Sequence, residues 1–260
     1  MTVTLGGRYD QGEAFEKFSP RVGLVQHITK NLGFKALYGT ALKSPGVKEY
    51  VQNLDVGGSL SINPESIETF EVSLVWSDSK VNAAATYFNN KIEDPIARVV
   101  DNRGVTVFGN DSGNFKSQGV ELEGEWLFTH GGKLFANTTL QDSHDETGSD
   151  IPLVPSWTGN LGVAYDIKSI GLTVASVLKC TGDYTRQGND YVIARNGEKL
   201  EGATTWDINL IKEINKNTRL ELQVKNLLDT EYYHPGEDSW QAWDYLQPGR
   251  TILLTLSMKF

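Results

Sequence analysis

The sequence predicts an all-β protein, an antiparallel up-and-down transmembrane β-barrel with about twelve strands present in its 260 residues. Three observations predict it. Apolar and polar residues alternate with a period of two nearly everywhere outside the loops, as strands with two unlike faces require. Short connections alternate with long ones, the parity expected when one rim faces the periplasm and the other the outside. Aromatic residues collect on the apolar face near the strand ends, at headgroup level for a bilayer. A soluble sandwich has no reason to keep that parity of connections.

The strands begin near Thr2, Pro20, Phe34, Ile67, Lys80, Phe115, Lys133, Trp157, Gly171, Thr205, Arg219 and Thr251. Many run to about ten residues or more, longer than the usual globular strand and close to a transmembrane one. At the start, Thr2-Val3-Thr4-Leu5 already alternates, with no basic-then-apolar secretory leader before it. Further on, Val120, Leu122, Trp126 and Phe128 oppose Glu121, Glu123 and Glu125. In Arg219-Leu220-Glu221-Leu222-Gln223-Val224-Lys225 every odd position is polar or charged and every even one aliphatic. The last segment sets Ile252, Leu254, Leu256, Met258 and Phe260 against Thr255, Ser257 and Lys259. Short turns fall at Thr29-Lys30-Asn31, Ser77-Asp78-Ser79, His130-Gly131-Gly132, Lys168-Ser169 and Asn215-Lys216-Asn217. Long polar loops run over about 43–63, 93–114, 143–155, 181–202 and 229–249. By parity Phe34, Trp76, Trp126, Tyr165 and Phe260 share the apolar face at short-turn ends, and Trp157 and Trp206 share it at long-loop ends. These form the expected membrane aromatic belts.

Composition agrees and excludes much. The chain holds 26 glycines, 10 Phe, 10 Tyr and 6 Trp against 2 methionines, a turn-rich profile rather than a helical one. A formal net charge of −9 argues against nucleic acid as a partner. One cysteine, Cys180, excludes an internal disulfide or a multi-thiolate metal centre and reads as structural. No apolar run reaches the roughly 20 residues of a membrane helix, and low mean hydropathy does not count against a barrel.

Several blocks then stand in a recognisable order. They are Leu5-Gly6-Gly7-Arg8-Tyr9-Asp10 with Phe18-Ser19-Pro20-Arg21, and Leu37-Tyr38-Gly39-Thr40-Ala41-Leu42-Lys43-Ser44-Pro45. Asn63-Pro64-Glu65-Ser66 with Glu68 and Glu71 follows, then Tyr87-Phe88-Asn89-Asn90 and Gln118-Gly119-Val120-Glu121-Leu122-Glu123. Val224-Lys225-Asn226-Leu227-Leu228-Asp229, Tyr232-Tyr233, Pro248-Gly249-Arg250 and a terminal Phe260 close the series. Together they resemble the TonB-dependent outer-membrane receptors, specifically the C-terminal half of their barrel, over residues 1–260.

The resemblance implies an integral outer-membrane protein of a Gram-negative-type envelope that helps take up a scarce nutrient, foremost a ferric siderophore. It implies a 22-stranded barrel of which this is the N-terminally truncated C-terminal portion, without the plug domain. It further implies a partner TonB, met through an N-terminal region absent here, and barrel-assembly machinery engaging the last strand at Phe260. Outer-membrane lipid and a small-molecule ligand, an iron complex, complete the expected partners. The segment by itself is expected not to transport. A small closed barrel acting as a passive channel stays open as an alternative, and behind it a soluble β-sandwich binding module or glycan hydrolase.

No catalytic residue, cofactor or metal is expected. The Glu121, Glu123, Glu125 row spaces carboxylates by about 6.6 Å, at the edge of an inverting glycosidase's geometry. A hydrated lumen wall explains it better, with Arg219 and Lys225 as neighbouring bases and Glu221 beside them. The loop Asp142–Asp150 offers oxygen ligands that calcium could use but lacks EF-hand spacing. His27, His130, His144 and His234 share no metal-ligand spacing, and residues 46–62 lack the histidine that the resemblance leads one to expect for haem. The long loops carry the ligand candidates: Tyr184, Arg186 and Tyr191 in one, Tyr232, Tyr233, Trp240, Trp243 and Tyr245 in or beside another. Such groups suit planar, anionic ligands through stacking and charge-assisted hydrogen bonds, although loop packing would use the same residues.

Overall fold

A computed structural model describes residues 1–12, 15–59, 61–111, 113–128, 131–186, 197–236 and 244–259. Its long strands are β1 (Thr2–Gln11), β2 (Glu16–His27), β3 (Leu32–Lys43), β4 (Glu65–Ser77), β5 (Val81–Glu93) and β8 (Phe115–Phe128). The series continues through β9 (Gly132–Asp145), β10 (Trp157–Ile167), β11 (Leu172–Thr181), β14 (Ala203–Asn215), β15 (Thr218–Lys225) and β18 (Thr251–Met258). These twelve form one sheet, each beside the next in the chain, from β1 at one end to β18 at the other. Each predicted strand start lies within a few residues of an observed one. Three two-stranded pairs decorate the long loops: β6 (Ile96–Val100) with β7 (Thr106–Asn110), β12 (Tyr184–Thr185) with β13 (Lys199–Leu200), and β16 (Tyr233–His234) with β17 (Tyr245–Leu246). One helix, α1 (Val47–Asp55), stands in the loop after β3. Neither α1 nor the β6–β7 hairpin follows from periodicity, because both lie inside segments that read as polar loop.

The chain divides into two compact units. The first comprises Met1–Leu74, Thr86–Gly119 and Asp142–Ile151, the second Val75–Ala85, Val120–Gln141 and Pro152–Phe260. In the first, Val3 and Leu5 pair with Leu24 and Val22, which pair in turn with Ala36 and Tyr38, so one face is apolar across three strands. The second repeats this over more strands. Val174, Leu210, Leu222 and Leu254 form one cross-strand row, and Ser176, Ile208, Val224 and Ile252 the next. Among the described residues no second layer covers these rows. Leu254 is 64 % exposed and Trp126 49 %. Leu220, Leu254 and Trp126 are therefore not sealed between two sheets, which removes the sandwich alternative.

The short turns are closed by side chains suited to the task. Thr29 Oγ1 accepts the amides of Asn31 (3.2 Å) and Leu32 (3.0 Å), and Asn215 Oδ1 accepts that of Asn217 (2.9 Å). Gly171, at φ 57°, supplies the left-handed residue before β11. In the β4–β5 turn Asp78 Oδ1 accepts the amides of Lys80 and Val81, both at 2.8 Å. Those two amides, with the Trp76 indole, hold the Asp78 carboxyl below its ordinary value. A lowered folded value means that the carboxylate's contribution is complete above the ordinary aspartate range and is lost as pH falls through the folded value. The Asp78 carboxyl carbon is expected to titrate below that range by NMR, with the Val81 amide shift following it. Asp78→Asn should abolish the titration, whereas a midpoint at the ordinary value would contradict the turn geometry.

Candidate functional site

The polar face in the second unit carries the residues expected to line a lumen. Glu121, Glu123 and Glu125 alternate with Val120, Leu122 and Gly124 along β8. Glu125 accepts Lys133 Nζ at 2.8 Å from β9, across the short turn. The expected basic neighbours Arg219 and Lys225 stand on β15, whereas β8 lies between β5 and β9 in the sheet. That pairing is therefore corrected to Lys133. Arg219 Nη2 instead meets Glu221 at 3.2 Å, and Glu221 also accepts Asn209 Nδ2 at 3.0 Å. Lys225 pairs across the ladder with Thr251, on the same face. Beside Glu123, Glu125 and Lys133 the wall hollows into a cavity of about 500 Å³. Of this row, Glu125 is half-exposed and ion-paired, while Glu121 and Glu123 are exposed.

The opposite face carries the aromatics. Phe128 stacks on Tyr165 with centroids 5.9 Å apart and planes at 9°, and Trp126 lies 5.5 Å from Phe128. Trp76 gives its indole N–H to Asp78 at 3.2 Å. Trp157 pairs with Leu140 at the long-loop end, where Trp206 donates to Ser176 Oγ at 2.6 Å. In the first unit Phe34 pairs with Gln26 beside the short turn. Cys180 shares this face with Gly159 and Thr204, whose hydroxyl lies 3.5 Å from the sulfur. Phe260 lies outside the described residues.

A cavity of about 180 Å³ opens at the long-loop end of β11 and β14. Lys179, Tyr184, Glu201, Tyr232, Tyr233 and His234 line it. Each is placed by a local device. Tyr184 is fixed by pairing with Leu200, which is 7 % exposed, and burial pushes its phenol above the ordinary value. Tyr233 donates to Glu231 at 2.6 Å, which raises its phenol as well. Both rings therefore keep their protons and act as donors and stacking surfaces at neutral pH. Tyr232 meets His234 edge-on with centroids at 6.0 Å. Lys179 gives its amine to Asp207 at 2.7 Å.

Arg186 is held by groups of both long loops. Its Nε and Nη2 reach Asp244 at 3.1 and 2.8 Å, and Nη1 donates to the carbonyls of Gly197 and Lys199. With side-chain exposures of 9 % and 14 % this pair ties the two loops together. Tyr191, Trp240 and Trp243 lie outside the described residues, as does His130. In the 142–150 loop, Asp145 Oδ1 is taken by Thr147 N (2.8 Å), Thr147 Oγ1 (2.7 Å) and Ser149 N (3.0 Å). No group of three His, Cys, Asp or Glu placed to hold a metal exists among the described residues.

The sequence reading missed Lys179, Glu201 and Asp244. Lys179 could have been found from its parity on the polar face; Asp244 carries no signal until the loops are folded.

Comparison with known proteins matches residues 1–227 to the family described as TonB dependent receptor-like, beta-barrel. The catecholate siderophore receptor Fiu of Escherichia coli (strain K12) is 22 % identical over 92 % of this chain and 32 % of its own. The ferric enterobactin receptor PfeA of Pseudomonas aeruginosa, solved as the R480A mutant with enterobactin, superposes with a TM-score of 0.82 at 19 % identity, over 99 % of this chain and 43 % of that one. The siderophore receptor PirA of Acinetobacter baumannii gives 0.79 at 21 % identity, over 99 % and 43 %. The chain thus spans about a third of the length of the curated relatives that it matches.

Proposed function

Because the chain belongs to the TonB dependent receptor-like β-barrel family, we propose that it is wall and rim of an outer-membrane receptor that takes up a ferric siderophore, energised through TonB. Relatives named as siderophore receptors support the ligand class. The observation that carries the reading is the rim cavity, where Tyr184, Tyr232 and Tyr233 gather beside Lys179 above a polar wall. Phenol donors and aromatic faces suit a planar ligand through hydrogen bonds and stacking. The apolar face, with Trp126, Phe128 and Tyr165 at one end and Trp157 and Trp206 at the other, meets lipid in this reading. In this reading TonB and the barrel-assembly machinery are its partners, the second through the closing strand.

The test is titration of the folded chain in detergent micelles with a ferric catecholate complex, read by quenching of tryptophan fluorescence. The double variant Tyr184→Ala with Tyr232→Ala is expected to bind about tenfold more weakly. Unchanged binding would remove the rim cavity from the site, and no binding by any folded form would remove the ligand class.

A further inference from the structure

In the first unit, α1 and the β6–β7 hairpin build a small structure locked by a single amide. Asn53 is fully buried. Its Nδ2 donates to the carbonyls of Ser59 and Phe108, each at 2.7 Å, while its Oδ1 accepts the Phe108 amide at 2.7 Å. Both backbone groups of Phe108 are thereby held. Two arginines flank it with different fates. Arg103 binds Asp101 through Nε (2.8 Å) and Nη2 (2.6 Å) and reaches the Val56 carbonyl at the helix C-terminus (3.5 Å). Its guanidinium holds the Asp101 carboxyl below the ordinary value. Arg98, cross-strand from Phe108, lies 5.8 Å from that ring's centre. It is exposed, and among the described residues it has no carboxylate or carbonyl partner.

Between helix and hairpin lies a cavity of about 320 Å³ lined by Gln52, Asp55, Arg98, Thr106 and Phe108. One wall offers the Arg98 guanidinium, without a carboxylate partner among the described residues, whose fork matches a carboxylate. The other offers Asp55 at the negative end of a helix whose last turn has no basic residue. The Phe108 ring lines the cavity between them. We propose that this cavity binds a small zwitterion of the amino-acid type, its carboxylate on Arg98, its ammonium on Asp55 and its apolar part on Phe108.

The probes are L-phenylalanine, N-acetylphenylalanine and phenylalaninamide, titrated calorimetrically into the full chain folded in detergent micelles. Phenylalanine is expected to bind, and loss of either charge from the probe should weaken it about tenfold. Arg98→Gln and Asp55→Asn, both at exposed positions, should reproduce those losses while the chain keeps its heat-dependent gel mobility. Three equally bound probes, no binding of phenylalanine by the folded chain, or unchanged affinity in Arg98→Gln would each overturn the site. None of these outcomes involves an iron complex, so siderophore uptake stands or falls separately.

Discussion

Asn226→Ala is expected to lower folding stability by about 3–5 kcal/mol, out of proportion to the few atoms removed. Asn226 is 4 % exposed and sits at φ 50°, a left-handed conformation that asparagine tolerates better than alanine. Its amide donates to the carbonyls of Thr230 (2.8 Å) and Pro248 (3.4 Å) and accepts the Thr230 amide (3.0 Å). Its own N–H meets Asp207 Oδ1 at 2.9 Å, and the next residue's N–H meets the Trp206 carbonyl at 2.7 Å. The side chain thus ties the end of β15 to Thr230 and to the segment entering β18, while backbone N–H groups of Asn226 and Leu227 hold the start of β14. There, Asp229 accepts the Arg250 amide at 2.7 Å. Removing the amide takes the partner from both backbone groups of half-buried Thr230 and from the Pro248 carbonyl at once, and alanine adds backbone strain. Asn226→Gly separates the two effects: it relieves the strain, keeps the loss of hydrogen bonds and should fall between wild type and alanine. Urea midpoints of the refolded chain measure all three. Equal midpoints would mean that water replaces the amide and that the loop base is not pinned there.

The contrast between what the residues disclosed and what they hid follows from range. A strand's faces are written in adjacent residues, so Arg219 to Lys225 could be assigned before any contact was known. Neighbouring strands joined by a short turn are nearly as local. Following that rule would have given Glu125 its partner Lys133, eight residues on, in place of Arg219. Loop structure obeys no such rule. Asn53 meets Phe108 across 55 residues and Arg186 meets Asp244 across 58, and no period links them. Arg186 was therefore legible as a loop residue suited to a ligand or to loop packing, but its partner Asp244 was not. The rim cavity was half legible: Tyr184, Tyr232 and Tyr233 were expected from their type and place. Their convergence on Lys179 and Glu201 depends on the register between β11 and β14, which the turn between them does not set.

Leu222→Arg is expected to cost about 2–4 kcal/mol in a bilayer, and the cost should fall with depth along one strand. Leu222 is central in β15, flanked by Leu210 and Leu254 on the apolar face. Two residues nearer the short turn, Leu220 pairs with Lys212, whose amine turns back to the Ile170 carbonyl. A native lysine on the apolar face is tolerable where its long stem can carry the charge out of the hydrocarbon. Leu220→Arg should therefore cost less than Leu222→Arg, and Thr218→Arg, at the strand end, about 0–1 kcal/mol. Gln223→Arg, on the face that already bears Arg219, Glu221 and Lys225, should be nearly neutral. Unfolding by urea from lipid vesicles, followed by tryptophan fluorescence, gives each value. The gradient is the discriminating feature. A protein interior penalises arginine according to local packing, whereas a hydrocarbon slab penalises it according to distance from the midplane, whatever the neighbours. If Thr218→Arg proved as damaging as Leu222→Arg, the apolar rows would be covered by protein, and the lipid-facing reading of this wall would fail.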